Sequence, residues 1–265
     1  DRLVLEPLAA LDIAVEPAVW DDPSVDWNRF DLAVLRSTWD YAPRRSEFLS
    51  WAQTVPRLAN DAATVGWNTD KRYLDELAGL AVVPTGWIEP GDTWAAPSSG
   101  EWVVKPAISA GSKDTGRYDL ADPAERDRAG KHVRRLTETG RVTMIQPYLD
   151  AVDTYGETAL IFIGGTYSHA IRKGPLLDGP DFGVEGLYKV EDITPREPSP
   201  AERDLVAKVV AARASETLYA RVDLVPGPDG EPLLIELELT EPSLFFGHGP
   251  GSAARFAAAI SKLIR

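Results

Sequence analysis

Three carboxylates stand in two strand-like runs whose spacing could bring them together. Glu236 and Glu238 lie two residues apart in LLIELEL (Leu233–Leu239), and Asp223 lies in YARVDLV (Tyr219–Val225). The segment between, PGPDGEP (Pro226–Pro232), consists of turn formers. Both flanking runs alternate, so they read as the strands of a hairpin. Side chains at i and i+2 share a strand face. That puts Tyr219, Arg221, Asp223 and Val225 on one face, and Leu234, Glu236 and Glu238 on one face of the partner. Pairing Val225 with Pro232 sets Arg221 opposite Glu236 and Tyr219 opposite Glu238, with Asp223 diagonal to Glu236 at about 7–8 Å. The opposite face, Val222, Leu224, Ile235, Leu237 and Leu239, reads as core; a one-residue slip would turn one strand over. Three clustered acids repel unless a cation sits between them, and oxygen-only ligands suit Mg²⁺ or Mn²⁺ rather than zinc. Mg²⁺ is usually held by one or two carboxylates plus substrate phosphates. The face is therefore a candidate holder of metal-bound nucleotide, its alternative being the solvated face of an edge hairpin.

Composition narrows the partners. The 265-residue chain is long enough for two domains or one large α/β unit, and its net charge of −13 argues against nucleic acid. A nucleotide needs only a local basic pocket. The absence of cysteine removes thiol catalysis, disulfides and cysteine metal sites, and three scattered histidines leave no histidine-rich zinc site. No apolar run reaches transmembrane length and no signal peptide is visible, so the expectation is a cytoplasmic protein without a membrane partner. The chain opens at Asp1 on a helix-like pattern, as if an initial strand were missing.

The positioning elements can be read in order. Ile13–Val19 and Leu32–Leu35 read as strands, Ser46–Leu58 as a helix with one proline, and Asn68–Leu80 as a helix capped by Asn68 or Thr69. Glu101–Pro106 is a strand, Ala107–Tyr118 a small-residue loop, and Asp122-Pro123 opens a helix to about Thr139. Val142–Tyr148 is a strand. Glu157–Ile163 and Thr166–Arg172 form a hairpin about Gly164-Gly165, setting Glu157 opposite Arg172. Ser199–Glu202 is a capping box before an apolar helix, and a last helix covers Ser252–Ile264. There is no internal repeat.

Several motifs fail. GSKDTGR (Gly111–Arg117) lacks the lysine and hydroxyl residue that complete a Walker A loop. GHGPG (Gly247–Gly251) lacks the third glycine of a dinucleotide fingerprint, and neither G-x-S-x-G nor H-E-x-x-H occurs. A glycosidase-like pair, Glu236 and Glu238 about 7 Å apart, stays open. Lys105 ends an apolar strand where a charge needs an anion or water. The following Ser109–Gly116 offers free N–H groups and the hydroxyls of Ser109, Ser112 and Thr115, able to fold over phosphates or to be plain surface loop.

In this order, a lysine in the Asn68–Leu80 helix, V-V-K-P with a glycine-containing loop, Q-P-Y-L, R-V-D and E-x-E resemble the ATP-grasp superfamily over residues 68–246. The resemblance implies two α+β subdomains sandwiching ATP behind an N-terminal Rossmann-like domain, divided here as 1–67, 68–146 and 147–265. It implies an enzyme that joins a carboxylate to an amine through an acyl phosphate. Carried over by position, Lys71 and Lys105 contact phosphates, and the loop with Ser109, Gly111 and Ser112 covers them. Gln146, Tyr148 and Leu149 border adenine, Glu157 lies near the ribose, and Asp223, Glu236 and Glu238 hold Mg²⁺ or Mn²⁺. Arg221 and Lys173 serve the transferring phosphoryl group or the substrate carboxylate. R-V-D is similar to that of D-alanine–D-alanine ligase, and ELELTEP (Glu236–Pro242) to the E-I-N-V-T-S-P of glutathione synthetase, with Glu238 departing from the usual Asn. RSTWDY (Arg36–Tyr41) and WNTDKRYL (Trp67–Leu74) look like a bacterial subgroup that includes the enzyme closing the D-cycloserine ring. There Asp40 and Tyr41 either fold the N-terminal domain or touch ligand.

The expectation is an ADP-forming ligase for a small amino-acid-like substrate, its product linear or cyclic and its oligomeric state, monomer or homo-oligomer, open. A nucleotide-binding protein without catalysis is the reading from another class. Ser109–Gly116 and Lys173–Pro198, poor in periodic apolar residues, are expected to be lids that order over nucleotide.

Overall fold

The computed structural model describes residues 1–177, 179–181 and 192–265. The N-terminal part runs α1 (Leu5–Ala9), β1 (Ala33–Val34), α2 (Arg45–Thr54), β2 (Leu58–Ala59), α3 (Ala62–Asn68) and α4 (Tyr73–Glu76). Strands β1 and β2 pair in parallel across α2, a small βαβ crossover. Ile13–Val19 forms no strand, for Val15 and Val19 stay exposed and no neighbouring strand pairs with the segment. Helix α2 stops short of the expected Leu58. The residue before a proline avoids helical angles, so Val55 is extended ahead of Pro56 and the chain re-enters as β2.

The expected helix Asn68–Leu80 is broken at the lysine it was meant to carry. Asn68 ends α3, and Lys71 lies in the turn before α4. The hydrogen bonds of two side chains explain the break. Asp70 accepts from the Arg72 N–H at 3.1 Å, a local turn that competes with the helix. The Asn68 amide is spent on the sheet behind it, donating to the Leu237 carbonyl and accepting from the Leu239 N–H, each at 2.7 Å.

Next come β3 (Gly86–Ile88), β4 (Glu101–Pro106), β5 (Gly116–Asp119), α5 (Pro123–Glu138) and β6 (Thr143–Pro147). The strands form an antiparallel sheet in the order β3-β6-β4-β5. Helix α5 starts as expected, with the Asp122 carboxylate accepting from the Ala124 N–H and Pro123 in the first turn. Its Ala129, Val133 and Leu136 pack on Val104, Tyr118, Leu120 and Ile145.

The last part holds α6 (Ala151–Thr154), β7 (Glu157–Ile163), β8 (Thr166–Lys173), β9 (Ile193–Pro195), α7 (Pro200–Arg213), β10 (Tyr219–Pro226), β11 (Pro232–Glu238) and α8 (Ser252–Ile264). Five of these form an antiparallel sheet ordered β11-β10-β7-β8-β9. The capping box at Ser199 and Glu202 is present. One face of the sheet packs Leu160, Val222, Leu224 and Leu237 against Leu205, Val206, Val209 and Val210 of α7. The other packs Ile161, Ile171 and Tyr219 under Phe256, Ala257 and Ile260 of α8 and Val4 and Leu8 of the N-terminal segment. Burying each larger side chain contributes roughly 1.5–3 kcal/mol. The charged residues Glu157, Lys173, Arg221, Asp223, Glu236 and Glu238 stand on adjacent strands of this sheet. No helix among the described residues is long and apolar enough to cross a membrane.

Candidate active site

The acid-bearing hairpin forms, in a register different from the expected one. Pro226 pairs with Pro232, Asp223 with Glu236 and Arg221 with Glu238, because the turn is one residue tighter to the strands and Ile235 bulges opposite the Asp223–Leu224 step. The two changes add to a shift of two residues, so the four charged side chains keep a common face. Near the turn the parity is not kept. Leu234, expected beside Glu236, is buried with Leu224 in the core, while Ile235 packs with Val225 and Leu233 near Tyr148 and Leu149. Tyr219 does not face Glu238; its hydroxyl donates to the Thr240 carbonyl at 2.8 Å. One oxygen from each of Asp223, Glu236 and Glu238 lies within 4.8 Å of the other two.

A second bulge delivers the neighbouring cation. Gly164 and Gly165 both take positive φ, 55° and 71°, as a tight hairpin turn requires. Strand β8 then carries one extra residue, Ser168, at the Ile161–Phe162 step. Glu157 therefore faces Lys173 rather than Arg172. The Lys173 Nζ lies 2.6 Å from Glu157 and 2.7 Å from Asp223. Arg172 turns away to Asp192 and the Tyr155 carbonyl, so the expected Glu157–Arg172 pair does not form.

Charge is nearly balanced around the acids. Arg221, buried, places Nε 2.9 Å from Asp223 Oδ1 and hydrogen-bonds Glu238 through Nη2. Burial would raise the Asp223 pKa, but Arg221 and Lys173 outweigh it and hold this carboxyl at about 2. Glu236 is also held below its ordinary range, by Lys71 and Lys105 against burial. Glu238 goes the other way. Burial, with Glu236 and Asp223 beside it, outweighs Arg221 and pushes it up to about 7. The set is oxygen-only and partly ionised, and its atoms converge, which fits a hard divalent cation.

Lys71 reaches the acids from the turn before α4. Its Nζ is 3.2 Å from Glu236 Oε1 and donates to the Ser109 carbonyl at 3.0 Å, while its backbone N–H bonds the Ala107 carbonyl. It thus ties Ser109 to the triad. Lys105, on β4, makes no ion pair or hydrogen bond among the described residues, and burial lowers its pKa. Gly111 and Ser112 continue the loop at positive φ, 63° and 56°.

At the other border, Gln146 is buried and donates to Thr85 Oγ1 at 2.9 Å. The Tyr148 ring lies under the Arg117 guanidinium at 3.6 Å and its hydroxyl donates to Asp153. Tyr148 and Leu149 line an apolar patch with Leu233 and Ile235 beside the triad. Residues 178 and 182–191 of the expected second lid lie outside the described residues.

Some site residues were missed in the sequence. Glu241, noticed only within a motif, follows β11 three residues after Glu238; burial, then Glu238 and Glu236, push its pKa up to about 8. Tyr41 lies beside it, buried, whereas Asp40 takes the Trp20 indole N–H and folds the N-terminal part. Tyr73 was read as helix; its hydroxyl accepts from the Leu237 N–H at 2.8 Å and braces β11 from behind. The usable signals were the runs RSTWDY for Tyr41, WNTDKRYL for Tyr73 and ELELTEP for Glu241.

Comparison with known proteins matches this geometry to a family. A family model described as the N-terminal domain of the D-cycloserine synthetase DcsG matches residues 1–60. The cycloserine biosynthesis protein DcsG of Streptomyces lavendulae is 39% identical, the match covering 99% of this chain and 93% of that one. The crystal structure of D-cycloserine synthetase DcsG superposes with a TM-score of 0.88 at 36% identity, covering 100% of this chain and 94% of that one. D-alanine–D-alanine ligase from Bacillus anthracis, 15% identical with a TM-score of 0.67 over 99% of this chain and 90% of its own, shares the fold. The chain belongs to the DcsG family of D-cycloserine synthetases and is an ATP-dependent, carbon–nitrogen bond-forming ligase of the ATP-grasp fold.

Proposed function

We propose that this ligase closes a five-membered ring of the cycloserine type. The substrate carboxylate attacks the γ-phosphorus of ATP, giving an acyl phosphate and ADP. A nitrogen borne on the side-chain oxygen of the same molecule then attacks the acyl carbon. The C–N bond forms, the C–O bond to phosphate breaks, and inorganic phosphate leaves. The observation that carries this reading is the acid triad of β10 and β11 ringed by Lys71, Lys105, Lys173 and Arg221. Cationic side chains around a metal-binding carboxylate set suit a triphosphate and a developing acyl phosphate. The likeness to the cycloserine proteins over nearly the whole chain supports the choice of product.

Asp223, Glu236 and Glu238 would hold Mg²⁺ or Mn²⁺, which when bound neutralises charge on the phosphates. Lys71 and Lys105 hold phosphate oxygens, and Lys105, without an ion-pair or hydrogen-bond partner among the described residues, is placed to take one. The loop of Ser109, Gly111 and Ser112 covers the phosphates and keeps water from the acyl phosphate. Tyr148 and Leu149, on the apolar patch, flank adenine, with Gln146 fixing the hinge through Thr85. Glu157 is placed for the ribose. Arg221, rigidly held by two carboxylates, and Lys173 serve the reacting carboxylate and its oxyanion. The division into 1–67, a Rossmann-like unit built on the β1–α2–β2 crossover, 68–146 and 147–265 belongs to the same reading.

The test is phosphate release from ATP with Mg²⁺ and O-amino-D-serine, the simplest amino acid with the ring-closing connectivity. The expected product is one water lighter than the substrate. Phosphate release accompanied only by a linear condensation product would make this an intermolecular ligase.

A further inference from the structure

One arginine ties together three elements where the two large sheets join. The chain passes from β6 of the four-stranded sheet to α6 through residues 148–150. Arg117, on the edge strand β5, lies against this crossing. Its Nε and Nη2 reach the two carboxylate oxygens of Glu101 on β4, at 3.1 and 2.6 Å. Its Nη1 donates to both oxygens of Asp153 on α6, at 3.1 and 3.0 Å. Its guanidinium covers the Tyr148 ring at 3.6 Å. The same two acids hold Tyr148 as well. The Glu101 carbonyl accepts the Tyr148 N–H at 2.8 Å, and Asp153 accepts the Tyr148 hydroxyl at 2.5 Å. Tyr148 is thus fixed by backbone, ring face and hydroxyl at once. The far end of the clasp is itself anchored. Next to Asp153, Val152 packs with Val83 and with Val225 of β10, which ties α6 to the five-stranded sheet. Isolated surface ion pairs contribute little. A planar guanidinium held by two carboxylates and an aromatic face, with 18% of its side chain exposed, resists both screening and rotation.

We propose that Arg117 is a positioning residue that sets the angle between the two sheets, and with it the width of the cleft between them. Lys105 stands on the four-stranded sheet and the acid triad on the five-stranded one. A change of angle at residues 148–150 therefore changes the distance between the phosphate lysine and the metal ligands. Arg117 acts through Glu101, Tyr148 and Asp153 rather than on the reacting atoms. Without the clasp the joint samples wider angles and only a fraction of molecules is competent to bind, so the apparent affinity falls by that fraction. The link to nucleotide rests on the site proposed above; the clasp itself does not.

The chain has no cysteine, so a pair of spin labels can be attached without background. Lys131→Cys on α5 and Lys208→Cys on α7, both exposed, report one sheet each, because α5 packs on the four-stranded sheet and α7 on the five-stranded one. Pulsed electron resonance on the full chain with Arg117 intact should give one narrow distance distribution. Arg117→Met should broaden it in the empty protein, and saturating ADP with Mg²⁺ should narrow it again. ADP affinity, measured by calorimetry, should fall about 10-fold, the effect of a competent fraction of about one tenth. Arg117→Lys keeps the charge and loses the fork, so it should behave like Arg117→Met. Asp153→Asn breaks the same clasp at an exposed position and should broaden the distribution in a protein that folds. An unchanged distribution in folded Arg117→Met or in Asp153→Asn overturns the clasp, as does wild-type behaviour in Arg117→Lys. A broadened distribution with unchanged ADP affinity leaves the clasp standing and overturns the placement of nucleotide between the sheets instead.

Discussion

Replacing Lys105 by Met should stabilise the empty protein and cripple nucleotide binding at once. Lys105 is a cation whose pKa is lowered by burial, with Lys71 and Lys173 nearby and no hydrogen-bond partner among the described residues. Methionine keeps the length of the stem and removes the charge. Lys105 is only half-buried and its Nζ is not among the fully buried polar atoms, so relief of its partial desolvation contributes at most about 1 kcal/mol, or about 2–4 °C in Tm for a chain of this size. A lowered lysine pKa means the folded state penalises the charged form. The penalty is present at neutral pH and fades as pH rises toward about 10, so the variant's advantage should fade there too. Binding moves the other way. Loss of one phosphate cation costs about 2 kcal/mol or more, roughly a 30-fold weaker Kd. An ATP analogue at about 100 times the wild-type Kd stabilises the wild type by about 2.7 kcal/mol; at the same concentration the variant sits near 3 Kd and gains about 0.9 kcal/mol. Thermal unfolding of both proteins, with and without a non-hydrolysable ATP analogue and Mg²⁺, reads both effects. A lower Tm for the empty variant, or an analogue-induced rise as large as in the wild type, would refute the reasoning.

The carboxylates should separate by role. Glu236→Gln should lose at least about 100-fold in ATP turnover with Tm little changed. Asp223→Asn should also unfold more easily, by about 3–5 kcal/mol in denaturant titration, because Arg221 and Lys173 lose the anion they share. Glu238→Asn should be milder than Glu236→Gln in turnover. The Glu238 pKa is raised to about 7, so the empty protein's stability is fullest below the ordinary glutamate range and declines as pH rises toward 7. Cation binding needs the ionised form, so the Tm gain on adding Mg²⁺ should grow from pH 5.5 to pH 8, and Glu238→Gln should flatten that growth. Tyr219→Phe should lose about 1–2 kcal/mol by removing the buried hydrogen bond to the Thr240 carbonyl.

Much of the site could be read from periodicity, and the part that could not has a common cause. The strands Glu101–Pro106 and Glu157–Ile163 and the helix Ser252–Ile264 fall where alternation, capping and apolar spacing put them. The common face of Arg221, Asp223, Glu236 and Glu238 followed from the two-residue repeat. Which of them meet did not, because the bulges at Ser168 and Ile235 are settled by packing on both sheet faces rather than by any local residue preference. Lys71 was placed on a helix because its neighbours have helical spacing; Asn68 and Asp70 found better hydrogen bonds elsewhere. Glu241 and Tyr41 lie 200 residues apart in sequence, and only the fold brings the N-terminal stretch to the end of β11.

Oxygen-18 in the substrate carboxylate follows the proposed chemistry atom by atom. O-amino-D-serine so labelled is incubated with the enzyme, ATP and Mg²⁺, and phosphate, nucleotide and ring product are analysed by mass spectrometry. Activation through an acyl phosphate moves one labelled oxygen into inorganic phosphate per ring closed, with ADP in equal amount, and Glu236→Gln should suppress all three together. Unlabelled phosphate alongside ring product, or AMP and pyrophosphate in place of ADP, would contradict it.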